Sequence, residues 1–430
     1  MLDINLIREN PAFVGEALAK RGVKIDFVAL LDLDEKKRKA QTKLENLRAD
    51  KNRISAQIPK AANKAALIAD SKDLGTKIEK ADVALGKLEK KIYEIMSELP
   101  NIPLPEVVAG GKENNSVVKT FGEVPKFDFT PKNHVELCTE LGLIDYERAA
   151  KMAGARTWIY TGMGARLEWA LLNYFIDFHT ANDYTFIMPP HLLNYDSGYA
   201  AGQFPKFQDD VFCVNMDEKF RFLIPTSETA LINMHRGEIL DESTLPIKYF
   251  GYSPCYRKEA GGYRTDERGM IRGHQFNKVE MFAFCKPERS NAMFNEFVKN
   301  AETLIEGLGL HYQTVALAAD DMSAAMAKTH DIEVYIPSMN GYKEISSIST
   351  ATDFQSRRAQ IRMKKTTPSS LCDATPSKEG EFSKCFVHTL NASGLATSRL
   401  VPAIVEQFQT ATGNVRIPKA LQKYLGCELI

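Results

Sequence analysis

The sequence predicts an α+β protein. An N-terminal antiparallel α-helical hairpin, drawn out as a coiled-coil arm, precedes a larger domain on a mainly antiparallel β-sheet flanked by helices. Three observations predict it: two runs of heptad-spaced apolar residues before residue 100, a turn-rich break just after them, and short β-rich runs through the remaining chain.

The first heptad run places Leu33, Ala40, Leu47 and Ile54 at d positions and Leu44 and Ile58 at a positions, with Lys37 and Lys51 filling the other a sites. The second is cleaner, with Leu67, Leu74, Ala81, Leu88 and Ile95 at d and Ile78, Leu85, Ile92 and Leu99 at a. A 3.5-residue repeat on two segments marks helices packed along a narrow seam. Between them Pro59 opens the stretch PKAANKAA, and proline is poorly tolerated inside a helix. Two limbs of about 30 residues, at about 1.5 Å per residue, make an arm roughly 45 Å long. A rod of that length with one apolar stripe does not fit inside a core.

Lys36 to Lys91 holds 16 Lys/Arg against 7 Asp/Glu, a local excess of +9 in a chain whose 55 basic and 55 acidic residues cancel. Such an excess serves a solvated coiled coil, and it equally serves an arm that grips RNA through its phosphates; projection and charge asymmetry favour the second.

LPNIPLPEVVAGGKENNS, dense in Pro, Gly and Asn, closes the arm as a linker. The boundaries are therefore an N-terminal domain over 1–105, with the arm at about 30–99, and a second domain over 106–430. Within the second, Arg166 to Phe178 and Glu288 to Leu308 read as helices among short strands. The 430 residues, 44% hydrophobic, suffice for a sizeable core. Seven scattered cysteines without a C-x-x-C pair suit reduced thiols in a cytoplasmic protein and give no zinc framework, so no zinc is expected. The N-terminus has neither a signal-peptide nor a transit-peptide pattern, and no run reaches about 18 apolar residues. The expectation is a cytoplasmic protein without a membrane partner.

No P-loop, strand-linked G-x-G-x-x-G, H-E-x-x-H or G-x-S-x-G occurs, so any nucleotide must be held by side chains on the sheet. The candidate is CYRKEAGGYRTDERGMIRGHQFNKVEMFAF, Cys255 to Phe284, two strand-like runs joined by a loop rich in Arg, Asp, Glu and Gly. Arg257 and Glu259 leave one face of the first strand, and Phe276 and Glu280 share a face of the second. Guanidinium forks match phosphate oxygens. Residue counts alone leave two readings open, a phosphate site and an ion-paired surface turn.

This hairpin resembles motif 2 of the class II aminoacyl-tRNA synthetases, and in particular that of the seryl-tRNA synthetases. IPTSET is similar to that family's serine loop, YKEISSIS and TDFQSRR to its E-x-S-S and D-F-Q-x-R-R segments, HTLNASGLATSR to its motif 3, and DYTFIMPPHLLN to motif 1, a dimer-interface strand ending at Pro189 and Pro190. The resemblance covers essentially the whole chain. It implies a class II synthetase catalytic domain that activates L-serine with ATP and transfers it to the 3′-terminal adenosine of tRNA(Ser), whether or not tRNA(Sec) is also charged. It further implies a homodimer whose helical arm binds the tRNA.

The resemblance also implies roles. Arg257 bridges the serine carboxylate and the α-phosphate, and Arg399 closes the other side of the nucleotide; these two are the catalytic pair. Glu259 reads adenine, Phe276 stacks on it, Arg272 holds the γ-phosphate, and Lys258, Ile345 and Ser346 complete the ATP contacts. Glu344 and Ser347 place Mg²⁺ between the phosphates. Thr226 and Glu280 meet the serine ammonium, Glu228, Asn391 and Ser393 surround its hydroxyl, and Ser227 belongs to the same serine-binding set. Arg264 and Arg268, in the hairpin loop, are expected to meet the tRNA acceptor end.

The chemistry explains the residue types. A serine carboxylate is already ionised at neutral pH, so its attack on phosphorus needs alignment and charge relief instead of a general base. The sequence departs from the family at Gly262 to Glu267, at Ile348 to Ala351, and at Ala392 and Ser398; none of these removes a charged contact. Two other readings compete: a relative that charges a carrier protein, and an RNA-binding paralogue with a decayed site. The retained arm speaks against the first and the intact charged set against the second. His274, Trp158 and Trp169 are read as non-catalytic, the tryptophans as core.

Overall fold

The computed structural model describes every residue except 62, 217–218, 260–268 and 365–383. Arg264, Arg268, Cys372 and the Gly262 to Glu267 departure lie outside the described residues. The chain divides into two compact units, one of residues 1–19 and 23–100 and one of residues 20–22 and 101–430.

The first unit is helical. Short helices α1 (Ile4–Glu9) and α2 (Pro11–Ala19) precede the long α3 (Val28–Gln57) and α4 (Lys64–Glu98). The long pair run 30 and 35 residues, about 45 and 52 Å. A 3-10 turn at Ile58–Lys60, with Pro59 in its first turn, ends the first limb, and Asn63 caps the second by accepting from the Ala66 amide. Along α3 the predicted seam positions 33, 37, 40, 44, 47, 51 and 54 are all shielded, and Ile58 continues the series just past the helix; Leu30, Leu31, Asp34 and Asp50 are shielded as well. In α4 the seam holds from Leu67 to Ile92 and then slips: Ile95 is 37% exposed while Met96 is 3% exposed. An α-helix drifts against a seven-residue repeat, and the final turn is where the accumulated drift moves the apolar position by one residue.

Cross-limb ion pairs Lys37–Glu89 and Arg48–Asp82 flank the seam. Asp34, on α3 but buried, receives Arg8 from α1 through Nε at 2.6 Å and Nη2 at 2.8 Å, which ties the short helices to the arm's base.

The second unit is built on an eight-stranded sheet. Its strands are β1 (Ser116–Phe121), β2 (Thr185–Ile187), β3 (Ile247–Tyr256), β4 (Gln275–Cys285), β5 (Tyr312–Ala316), β6 (Lys328–Ile336), β7 (Gly341–Thr352) and β8 (His388–Ala396). The spatial order is β1-β5-β6-β7-β8-β4-β3-β2, antiparallel throughout except for the β2–β3 edge. This matches the predicted mainly antiparallel sheet.

Helices α5 (Gly162–Ala181), α6 (Ser290–Gly307) and α7 (Thr397–Gln407) bury their apolar sides in one continuous core with Val279, Met281, Ile348, Leu390 and Ala392 of the sheet. On α6 that side is Met293, Phe294, Phe297, Ala301, Leu304 and Ile305, at helical spacing. Strand alternation sends the intervening residues to the opposite face, where Phe282 and Phe284 meet a second core that includes Leu231, Ile361 and Val387. The part of that opposite face left uncovered by apolar residues carries the site.

Trp158 packs against the main core, as expected, but Trp169 is 54% exposed, resting beside Tyr252. Its position on the outer side of α5 was not apparent from the tryptophan's apolar character. Among the described residues five cysteines are free thiols, whereas Cys385 is disulfide-bonded, contrary to the all-thiol expectation. Among the described residues no helix is long and apolar enough to cross a membrane.

Candidate active site

β3 and β4 pair in a continuous antiparallel register from Phe284↔Ile247 to Gln275↔Tyr256, and one further bond joins the Arg257 amide to the His274 carbonyl at 3.0 Å. The hairpin is therefore a rigid two-stranded platform up to the point where its loop begins. On β4, Phe276, Lys278 and Glu280 alternate with Val279 and Met281, so the polar series faces away from the main core.

β8 supplies Asn391 and Ser393 by the same alternation. Its register against β4 shifts between Lys278↔Ala396 and Glu280↔Ser393, which curves the strand over the platform. β7 presents a different solution. Glu344 and Ser347 are three residues apart and would leave opposite faces of a regular strand. A bulge opposite Ile332 and Glu333, with Ile345 as the extra residue, brings both to one side.

These strands enclose a cavity of about 670 Å³. Of the predicted residues, Thr226, Glu228, Arg257, Glu259, Arg272, Glu280, Glu344, Ser347, Asn391 and Ser393 line it. Phe276, Ile345 and Arg399 join Arg257, Glu259 and Arg272 around an adjoining cleft. The arginine and the ring of the platform are in contact, with the Arg257 guanidinium carbon 5.2 Å from the Phe276 centroid.

Three predicted residues sit elsewhere. Ser227 is fully buried behind the cavity, its hydroxyl 2.7 Å from that of Ser253. Ser346, put inside the sheet by the same bulge that exposes Ser347, donates to the Ser393 carbonyl. The Lys258 ammonium turns outward to the Asp209 carbonyl at 3.1 Å. None of the three side chains lines the cavity or the cleft.

Charge within the site is balanced internally. Arg272 pairs with Glu259, Arg399 reaches Glu344, and Lys278 lies 2.5 Å from Glu280. β3 ends at Tyr256, so Arg257 and Glu259, expected on one face of that strand, lie just beyond it, and Glu259, with φ of 54°, has the conformation of a turn residue. Burial, reinforced by the nearby Glu280 charge, pushes the Glu228 carboxyl up to about 7. Gln355 donates to it at 2.7 Å and in turn accepts from Thr389.

Residues the sequence reading passed over include Lys278, Gln355 and Asp331. Asp331 stands opposite Ser347 in the register, buried, with Oδ1 lacking a hydrogen-bond partner among the described residues; burial and the Glu344 charge raise its carboxyl well above the ordinary range. Only Lys278 carried a signal in the sequence, its even spacing from Glu280 on one strand; Asp331 enters through its register with Ser347, and Gln355 from the helix Phe354–Ala359.

The oxygen donors Glu344 and Ser347, with Asp331 behind them, suit a hard cation that keeps phosphate or water ligands. Among the described residues no group of three His, Cys, Asp or Glu forms a closed metal cage.

The comparisons with known proteins agree along the chain. The family model "Seryl-tRNA synthetase N-terminal domain" matches residues 1–103, and "tRNA synthetase class II core domain (G, H, P, S and T)" matches residues 212–408. Serine–tRNA ligase 2 of Clostridium acetobutylicum is 50% identical over 99% of both chains, and the serine–tRNA ligase of Thermodesulfovibrio yellowstonii is 43% identical over 100% of both. Among solved structures, seryl-tRNA synthetase from Pyrococcus horikoshii, complexed with ATP, superposes with a TM-score of 0.87 at 34% identity, covering 100% of this chain and 99% of that one. The cytoplasmic serine–tRNA ligase of Naegleria fowleri, in complex with AMP, gives 0.85 at 31% identity over 100% and 98%. With relatives of this identity matched end to end, the chain belongs to the seryl-tRNA synthetase family, on the class II aminoacyl-tRNA synthetase core.

Proposed function

We propose that the cavity condenses L-serine with ATP and then passes the seryl group to the 3′-terminal adenosine of tRNA(Ser) held by the helical arm. The observation that supports it best is convergence: Thr226, then Arg257 and Glu280 of one hairpin, then Asn391 and Ser393, from three separate stretches of chain, face one cavity that Arg272 and Glu344 also line.

In this reading Glu280 and Thr226 take the serine ammonium, while Glu228, Asn391 and Ser393 take its hydroxyl. Asn391 Oδ1 is buried without a hydrogen-bond partner among the described residues, which fits a group that bonds substrate. Arg257 holds the serine carboxylate against the α-phosphate. Phe276 and Arg399 sandwich adenine, Glu259 reads its edge, and Arg272 exchanges its Glu259 partner for the γ-phosphate.

A carboxylate oxygen of serine attacks the α-phosphorus as pyrophosphate departs, giving seryl-adenylate. The terminal adenosine hydroxyl of the tRNA then attacks the seryl carbonyl, and AMP leaves. Arg257 lowers the barrier by holding two mutually repelling anions in line. Glu344 and Ser347 would hold Mg²⁺, which supplies charge neutralisation between the phosphates.

The arm's basic excess supports phosphate contacts with tRNA. A homodimer would give the apolar side chains exposed on the second unit, Trp169, Met188 and Met152, a surface to cover.

The test is ATP–pyrophosphate exchange over the amino acids, followed by transfer to total tRNA. Serine-dependent exchange and transfer support the reading. Exchange without transfer would instead point to a carrier-protein acceptor.

A further inference from the structure

Lys278 stands two residues before Glu280 on β4, on the same face. Its ammonium is 2.5 Å from the Glu280 carboxylate and donates to Thr226 Oγ1 at 2.8 Å. Both partners are the groups assigned above to the ammonium of serine. Lys278 is 6% exposed and Glu280 1%, so this is a buried pair and not a surface contact.

The hydrogen-bonding capacity of Thr226 sharpens the point. A hydroxyl oxygen accepts twice, and Thr226 Oγ1 already receives the Glu228 amide at 3.2 Å as well as Lys278. A substrate ammonium therefore has no lone pair to bond at Thr226 until Lys278 leaves. Glu280 is in the same position electrostatically, because one buried carboxylate does not compensate two buried cations.

The physical reason for such an arrangement lies in the burial of Glu280. Glu280 is desolvated and close to a second carboxyl, Glu228. Left without a cation it would be costly, and removal of one partner from a buried pair is among the more destabilising changes known. Lysine suits the role because its ammonium rides a flexible stem. Lys278 lines both the serine cavity and the nucleotide cleft, so a rotation of that stem is enough to move its charge from one to the other.

We propose that Lys278 is a positioning residue that holds the ammonium subsite as an internal counter-ion and yields it to serine, and that ATP, whose phosphates offer the displaced ammonium a new anionic partner, thereby strengthens serine binding. The proposal rests on the reading of Thr226 and Glu280 as ammonium contacts. By linkage the coupling is reciprocal, so serine strengthens ATP binding by the same factor.

Calorimetric titration of the full-length protein with serine, with and without a non-hydrolysable α,β-methylene ATP analogue, tests it. The wild-type serine Kd is expected to fall about tenfold with the analogue present. In K278M that ratio is expected to shrink to less than about twofold, with nucleotide-free serine binding tighter than in the wild type. K278Q, which keeps an N–H donor for Glu280 and removes the charge, should behave like K278M and guards against a folding defect in the first variant. Coupling of wild-type size in both variants, or no coupling in the wild type, overturns the proposal. A wild-type protein that binds another amino acid but not serine overturns the reading of the pocket itself.

Discussion

Gln355 Nε2 donates to Glu228 Oε1 at 2.7 Å in the wall of the cavity, and Gln355 is completely buried. The same amide nitrogen donates to the Ala201 carbonyl at 2.9 Å and its oxygen accepts from Thr389, so the glutamine is fixed at both ends. One carboxylate oxygen of Glu228 is thereby committed to the protein, which leaves the other to face substrate.

A pH dependence follows. Because burial and then Glu280 raise the Glu228 carboxyl to about 7, it keeps its proton in the folded protein where an unfolded glutamate, near 4.5, has lost it. The folded state binds more protons between those values, so stability falls as pH rises from about 4.5 to about 7 and then levels. E228Q should lose up to about 3 kcal/mol of that decline, measured as the wild-type-minus-variant difference in urea unfolding free energy at pH 5 and pH 8. An unchanged difference at the two pH values would contradict the shift.

Arg257 is expected to act mainly on the chemical step. R257A should lower kcat for exchange by about 10² to 10³, and R257K should recover little, because an ammonium cannot present two parallel donors to carboxylate and phosphate. A variant with a raised ATP KM and wild-type kcat would assign Arg257 to binding alone.

Asn391 should separate the two substrates. N391A is expected to raise the serine KM by about 5- to 100-fold, the range for losing a buried hydrogen bond, with the ATP KM changed by less than about twofold. It should also narrow the preference for serine over alanine, since the site would no longer hold a polar group that alanine leaves unpaired. Equal loss for both substrates would place Asn391 in a structural role.

The two heptad series and the 3.5-residue spacing were enough to place the arm, because a seam between two helices is written into one strand of sequence. The slip at Ile95 and Met96 was not, since it depends on accumulated helical phase. In the second unit the resemblance located the hairpin, and strand alternation put Phe276 and Glu280 on one face. What stayed hidden was pairing across strands. The bulge at Ile345 decides that Ser347, and not Ser346, faces the cavity, and it arises from register with Ile332 and Glu333 on the preceding strand, which spacing along one strand does not show. Lys278 was passed over because the contact that puts it in the site, Thr226, reaches it only through the fold, although Glu280 lies two residues along the same strand.

The arm supports a prediction that leaves the cavity untouched. Excising residues 41–84 and joining the limbs through a short glycine-serine turn keeps Asp34 and its Arg8 anchor. Serine-dependent exchange should survive while tRNA charging falls, and wild-type tRNA affinity should drop steeply as salt rises. Parallel loss of exchange and charging would show that the arm is not mainly an RNA device.

The central claim is that Arg257, Glu280 and Asn391 together activate serine with ATP. Pyrophosphate exchange across the standard amino acids, wild type beside R257A, tests it most directly. Exchange with serine well above all others, reduced at least about 100-fold in R257A, is the predicted result. Exchange that favours another amino acid, or serine-dependent exchange undiminished in R257A, would contradict it.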